Sequence, residues 1–283
     1  MFKRCVVVMC LAWLPFSHAS AACLSDLEAA QLASRYVNKE LISLEASNIT
    51  AADALCSQQK VVRYLQQAFG PVAGYKAGLT NPATQKRFGA DAPVAGVLFK
   101  NLLLTSPAKL PAQFGARPLF EADLLVEVKD AGIMQARTQA DLLKHVKAVI
   151  PFIELPDLAF SDMRQANANS ITIINVGARQ GALGKPLPMT AELVPLLASM
   201  QVKLLDDSGA QLDSAPGTAI LDHPLNAVLW LVQEMQRRGV RLKAGDLLSL
   251  GSFSKLIPSA AGKTIMAIYD GLPGNPQVVV RFE

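Results

Sequence analysis

The chain changes texture at Gly70-Pro71, and that break limits its fold more than any other feature of the sequence. Two helix starts lie ahead of it. Ser25 opens "SDLE", where serine and the glutamate three residues on can satisfy the free N–H groups of a first turn. Helix-compatible sequence follows to about Leu44. Thr50 opens "TAAD" and leads through "ALCSQQKVVRYLQQAF" to the glycine–proline stop. Beyond it the segments "VAGYKAGLT" and "VAGVLFKNLLL" are short, apolar and punctuated by glycine. A strand follows at 119–128, "LFEADLLVEV", then a helix "TQADLLKHVKAVI" from Thr138. Next come the apolar runs "PFIEL", "ITIINVG" and "QVKLLD", and a helix "HPLNAVLWLVQEMQRRG" from His223. "GDLLSLGS", "TIMAIYDG" and "QVVVRFE" close the chain as strands. Helices and strands do not alternate one for one. The pattern therefore predicts an α+β fold, a mixed and mostly β core with packed helices, rather than a doubly wound sheet.

The N-terminus predicts an export signal over residues 1–22. "MFKR" is basic, "CVVVMCLAWLPF" is apolar but too short to span a bilayer, and "SHASAAC" supplies an A-x-A pattern at Ala19 and Ala21. The alternative is a buried helix. No later apolar run is long enough for a membrane span, so the expected location is periplasmic. Cys5 and Cys10 would leave with the signal, which leaves Cys23 and Cys56. Two cysteines in an exported chain suggest one disulfide. The rival is a lipid anchor at Cys23 after "SAA". The net charge of +4 is mild and no basic run carries interleaved aromatics, which argues against nucleic acid as a partner.

Chemistry concentrates in a few places. Glu121 and Asp123 project from the same face of the 119–128 strand, roughly 7 Å apart at the backbone. Either water washes that face, as Glu127 further along it would suggest, or a cation sits between the two carboxylates. Glu154 lies among apolar neighbours in "VIPFIELPDL", where an unpaired carboxylate is expensive to bury. Three carboxylates from two segments form the oxygen set that suits Mg²⁺ or Mn²⁺. Histidines number only three, so zinc is disfavoured. Lys76 in "GYKAGLT" is either a surface residue at a strand end or a buried amine fit for proton transfer. His223 before Pro224 reads more simply as a helix cap than as a base. "NVGARQGALG" (175–184) is a loop able to approach a ligand or a plain turn.

"GYKAGLT", "GADAPVAGVLF", "FEADLLVEV", "PFIELPD", "LDHPLNAVLWLV" and "KAGDLLSLGS", in this order over residues 74–255, resemble the fumarylacetoacetate hydrolase superfamily. The branch they resemble is that of 2-oxopent-4-enoate hydratases and 4-oxalocrotonate decarboxylases. The resemblance implies a mixed β-roll catalytic domain over 74–283 behind a helical segment at 23–73, usually as a homo-oligomer. It places the metal ligands at Glu121, Asp123 and Glu154 and the active-site lysine at Lys76; Asn175, Ser252 and, outside the family pattern, Arg179 are the expected substrate-binding positions. The implied partner is a short 2-oxo or 2-hydroxydienoic acid, chelated to Mg²⁺ or Mn²⁺ and hydrated. Decarboxylation, a non-catalytic exported binding protein, and hydrolysis of an acylpyruvate are the alternatives. Two positions depart from the pattern. Val94 stands where hydratases resemble an aspartate, and Gly177 where they resemble a serine. Arg179 is an additional charge that could grip a second carboxylate.

Overall fold

The computed structural model describes residues 23–44 and 48–283, so the predicted export signal lies outside the described residues. The two capping boxes form as spelled. Ser25 and Glu28 close the start of α1 (Asp26–Val37), and Thr50 and Asp53 that of α2 (Ala51–Phe69). Gly70 ends α2 at φ 82°, a left-handed backbone that glycine adopts without strain. The first helix stops at Val37, short of Leu44. The chain instead docks Ile42 on the Ala159–Ser161 backbone, with bonds of 2.7 and 2.8 Å. Ahead of α1 the chain crosses the first turns of α2. Leu24 N–H donates to Ser57 Oγ at 2.9 Å, and Cys23 is joined to Cys56 with 5.7 Å between Cα atoms. A sulfur in that bond cannot also carry a lipid thioether, so the lipid-anchor alternative at Cys23 falls away.

The β core is mixed, as expected. Its nine-stranded sheet follows the order β2 (Val94–Phe99), β1 (Val72–Gly78), β11 (Leu247–Ser249), β5 (Leu119–Val128), β6 (Val146–Leu155), β7 (Gln180–Leu183) and β3 (Leu103–Thr105). Short β12 (Ile257–Pro258) and β8 (Leu187–Pro188) pair with β5 and β6. The second sheet runs β10 (Gln211–Pro216), β9 (Gln201–Asp206), β13 (Thr264–Asp270), β14 (Gln277–Phe282) and β4 (Ala108–Leu110). Ala122, Leu124, Val126 and Val128, one face of β5, enter the main core with Leu204 of β9, Ala267 of β13 and Leu231 of α7 (Pro224–Arg237). A second cluster packs α1 and α2 against Phe88, Phe99, Leu158 and Ile171, so the N-terminal helices share a core with the strands behind the sheet.

Two segments differ from their sequence pattern. The helix begun at Thr138 is only α4 (Gln139–His145), because from Val146 the chain pairs with β5 along almost its whole length. "ITIINVG" is apolar and β-branched like its strand neighbours, yet its first three residues end α5 (Ala168–Ile173) and its last three form a tight turn, Asn175–Gly177. Asn167 and Ser170 cap it, and its residues are buried against α2, so tertiary packing overrides local propensity. α3 (Pro82–Phe88), capped by Asn81, and α6 (Leu193–Ser199) complete the set. Among the described residues no helix is long and apolar enough to cross a membrane.

Candidate active site

The β5–β6 ladder places Glu121 directly opposite Glu154. Like charges opposed in a ladder repel, and Asp123 adds a third on the same face. Asp123 is fully buried and Glu154 is 2% exposed. One oxygen from each of the three lies within 4.8 Å of the others. The face is not a solvated stripe. Leu125, next along it, is fully buried, and Glu127 reaches solvent only further on, paired with Lys147 at 2.8 Å.

Burial, and then the charge of Glu154, pushes the Glu121 carboxyl up to about 8; Lys76 and the Ser252 hydroxyl only partly offset this. The same two causes hold Asp123 well above the usual carboxylate range. The cluster is short of positive charge. Lys76 supplies one. It is 3% exposed, and its ammonium donates to Glu154 Oε1 and, at 3.1 Å, to Val176 O. This answers the sequence question in favour of the buried amine. Glu154 Oε2 is left buried with no hydrogen-bond partner among the described residues. Hard, all-oxygen donors with one buried oxygen unclaimed fit Mg²⁺ or Mn²⁺. Neither described histidine competes. His145 bonds Asp130, and His223 caps α7 by accepting Leu225 N–H at 3.0 Å. A cavity of about 540 Å³ reaches the cluster at Glu121, walled also by Lys76 and Ser252 and by apolar Phe88, Leu158 and Val176.

Residues distant in sequence fix this geometry. The Asp123 carboxylate accepts from Ser249 Oγ at 2.7 Å and from Gly251 N–H at 3.1 Å. Tyr269, from β13 of the other sheet, inserts its hydroxyl into the β5–β6 ladder. It sits between the carbonyls of Asp123 and Phe152 and accepts Phe152 N–H at 3.0 Å. Sequence patterning does not single out Tyr269 or Ser249. Both lie more than a hundred residues from Asp123 and look like ordinary strand residues. The sequence signal at Ser249 is a polar residue in an apolar strand.

The expected substrate-binding positions divide. Ser252 lines the cavity beside Glu121, its hydroxyl bonded to Ser254 O at 2.7 Å. Asn175 does not face the cavity. Its carboxamide accepts Val97 N–H at 2.7 Å and donates to Val97 O at 2.9 Å. This grip holds three successive left-handed residues, Asn175, Val176 and Gly177, at φ 57°, 55° and 64°. A β-branched valine there is strained by roughly 1–3 kcal/mol, and the turn aims Val176 O at Lys76. Arg179 is withdrawn altogether. Its guanidinium donates to Tyr36 O, Val37 O and Phe114 O, capping the last turn of α1, and it lies 5.3 and 5.1 Å from the Tyr36 and Phe69 ring centroids. The departures have physical reasons as well. A side chain at Gly177 would come within 2.9 Å of Leu158 Cδ2, and Val94 packs into the cluster around α2.

No family model matches the chain. Curated relatives do. The chain is 30% identical over 208 residues to the 2-keto-4-pentenoate hydratase of Burkholderia vietnamiensis, covering 71% of this chain and 75% of that one. It is 30% identical over 222 residues to the enzyme of the same name from Paraburkholderia phymatum, covering 76% and 80%. Among solved structures, 4-oxalocrotonate decarboxylase from Pseudomonas putida G7, complexed with magnesium and adipate, superimposes with a TM-score of 0.79 at 23% identity over 92% of this chain and 99% of that one. Fumarylpyruvate hydrolase from Pseudomonas aeruginosa, in complex with Mn²⁺ and pyruvate, gives 0.55 at 16% identity over 74% and 88%. These last two likenesses concern the fold, a mixed β-roll of the fumarylacetoacetate hydrolase type. The identity to the two hydratases over three quarters or more of their length places the chain: it belongs to the 2-keto-4-pentenoate hydratase family.

Proposed function

We propose that the protein is a divalent-cation-dependent lyase that hydrates a short 2-hydroxydienoic acid, or its 2-oxo tautomer, of the 2-oxopent-4-enoate kind. The observation that carries this is Glu154 Oε2, buried and unclaimed beside two carboxyls whose ionisation is resisted by burial and by the like charge of Glu154. Glu121, Asp123 and Glu154 would hold Mg²⁺ or Mn²⁺. When bound, the cation supplies a Lewis acid for the carboxylate and C2 oxygen of a 2-oxo acid. The remaining work falls to the chain. Lys76 has three N–H bonds as an ammonium and spends two on Glu154 and Val176. The third is left for a ligand in the cavity that Lys76 lines. From there it gives a proton to the carbon framework of the acid and takes one back, exchanging enol and keto forms. Ser252 lines the same floor beside Glu121 and orients the carboxylate end of the acid.

A second reaction, loss of carbon dioxide from a dicarboxylic relative, is favoured by one observation. Val94 and Gly177 lack the polar groups that a hydratase pattern leads one to expect for handling water. The deciding experiment is ultraviolet absorbance of 2-hydroxypenta-2,4-dienoate with residues 23–283, first metal-stripped and then restored with Mg²⁺. Metal-dependent loss of the diene band supports hydration, and absence of any loss in a folded, metal-loaded sample sinks it. The proposal extends to location and assembly. The basic–apolar–small order of residues 1–22 and the Cys23–Cys56 bond support export to the periplasm. N-terminal sequencing of protein recovered from a periplasmic fraction tests that reading. The superfamily resemblance supports a homo-oligomer, measurable by light scattering.

A further inference from the structure

Two residues with side chains, Asn175 and Val176, run left-handed ahead of Gly177, and such a turn persists only where its surroundings hold it. Asn175 holds the front by its carboxamide on Val97. The back is held from elsewhere. Gly177 O accepts Asp157 N–H at 2.9 Å, and the next carbonyl, Ala178 O, accepts the Tyr36 hydroxyl of α1 at 3.1 Å. Arg179 follows, buried, and its guanidinium ties Tyr36 O and Val37 O at the end of α1 to Phe114 O. Among the described residues this cation is met by carbonyls and two aromatic rings and by no carboxylate. Water can serve the last carbonyls of a helix, so capping α1 does not by itself account for burying a charge there. Between the front and back holds lies Val176 O, which accepts from the Lys76 ammonium at 3.1 Å. Were the turn to relax, that carbonyl would move off and Lys76 would keep only Glu154.

We propose that Arg179 is a positioning residue for Lys76. By locking α1 to the back of the turn it keeps Val176 O on the ammonium, and so fixes where the remaining N–H bond points. α1 then belongs to the working site although none of its residues lines the cavity. The inference rests on the reading of Lys76 as the proton-transfer group. Arg179→Met keeps the bulk but no donor, and Arg179→Lys keeps a donor. Acetylation of the Mg²⁺-loaded mature protein, read by mass spectrometry, needs no turnover. Lys76 should resist it in the unmodified protein, react in Arg179→Met and react less in Arg179→Lys. In the same variants kcat for loss of the diene band should fall roughly tenfold to a hundredfold in Arg179→Met, the cost of a small misplacement of a reacting group. Arg179→Lys should recover part of it, with KM and Mg²⁺ affinity close to those of the unmodified protein. If Arg179→Met does not fold, Tyr36→Phe removes a single hydroxyl from the same hold and should show the same pattern more weakly. A variant that melts earlier but leaves Lys76 unreactive and kcat unchanged would overturn the proposal, and so would a loss of Mg²⁺ affinity in step with kcat. If the unmodified protein does not consume the diene, the proposed reaction fails, and the acetylation pattern alone decides whether Arg179 holds Lys76.

Discussion

Removing the cation from this protein reverses how its stability depends on pH. The Glu121 carboxyl ionises at about 8 in the metal-free fold, against an ordinary 4.5, and burial is the larger cause with the Glu154 charge next. Between those two values the folded state holds a proton that the unfolded chain has released. Stability is then full below about pH 4.5 and is lost as pH rises through about 8, at roughly 1.4 kcal/mol per pH unit. Across the window this is of the order of 5 kcal/mol from Glu121 alone, comparable with the whole net stability of an ordinary domain. Asp123, also raised, adds to the loss with the same sign. His223 opposes it, since burial holds its imidazole below the usual range. Urea unfolding of chelator-treated protein at several pH values from 5 to 8.5 reads the sum, and the Glu121→Gln variant isolates the carboxyl. Metal-free Glu121→Gln should show a shallower decline than the unmodified protein. With Mg²⁺ in excess the decline should flatten or invert, because the ligands must be ionised to bind. A metal-free stability that stays level across this range, with no difference between the two proteins, would refute the view that three buried carboxylates share too little positive charge.

Four further outcomes follow from the same geometry. Glu121→Ala and Glu154→Ala should each abolish divalent-cation binding by calorimetry; wild-type affinity in both would dismiss the three-carboxylate site. Lys76→Ala should remove turnover, read as diene absorbance, while a cation still raises the melting temperature. Tyr269→Phe removes the acceptor of one bond from buried Phe152 N–H and the one donor shared by the carbonyls of Asp123 and Phe152, so a loss of about 1–3 kcal/mol in urea unfolding is expected, and a loss under 0.5 kcal/mol would count against its role in the ladder. A thiol titration of denatured mature protein should find no free cysteine, and two free thiols would contradict the Cys23–Cys56 bond.

What the sequence made legible were features that act over one or two turns of chain. Alternation along 119–128 sorted the core face of β5 from its acidic face, and the side chains of Ser25 and Thr50 marked the helix starts. Glu154 stood out because its neighbours are apolar, and the fold gives it Lys76 as a partner. What stayed hidden depends on encounters between distant segments. Nothing local to "ITIINVG" shows that α2 will cover it. Nothing near Arg179 shows that the end of α1 will arrive to take its guanidinium. Arg179 and Asn175 looked like ligand residues because they are polar groups in a glycine-containing loop. The fold uses both on backbone carbonyls and amides instead, where a buried main chain would otherwise lack partners.

The Tyr269 hydroxyl has a consequence for how the two sheets come apart. Phe152, in the middle of β6, faces Asp123 across the ladder, and its N–H also donates to a side chain from the second sheet, the Tyr269 hydroxyl at 3.0 Å. Its hydrogen exchange with solvent should therefore quicken when β13 draws away. Protection of that single amide reports whether the second sheet is docked against the carboxylate cluster, and comparing it with and without Mg²⁺ would tell how firmly the cation welds one sheet to the other.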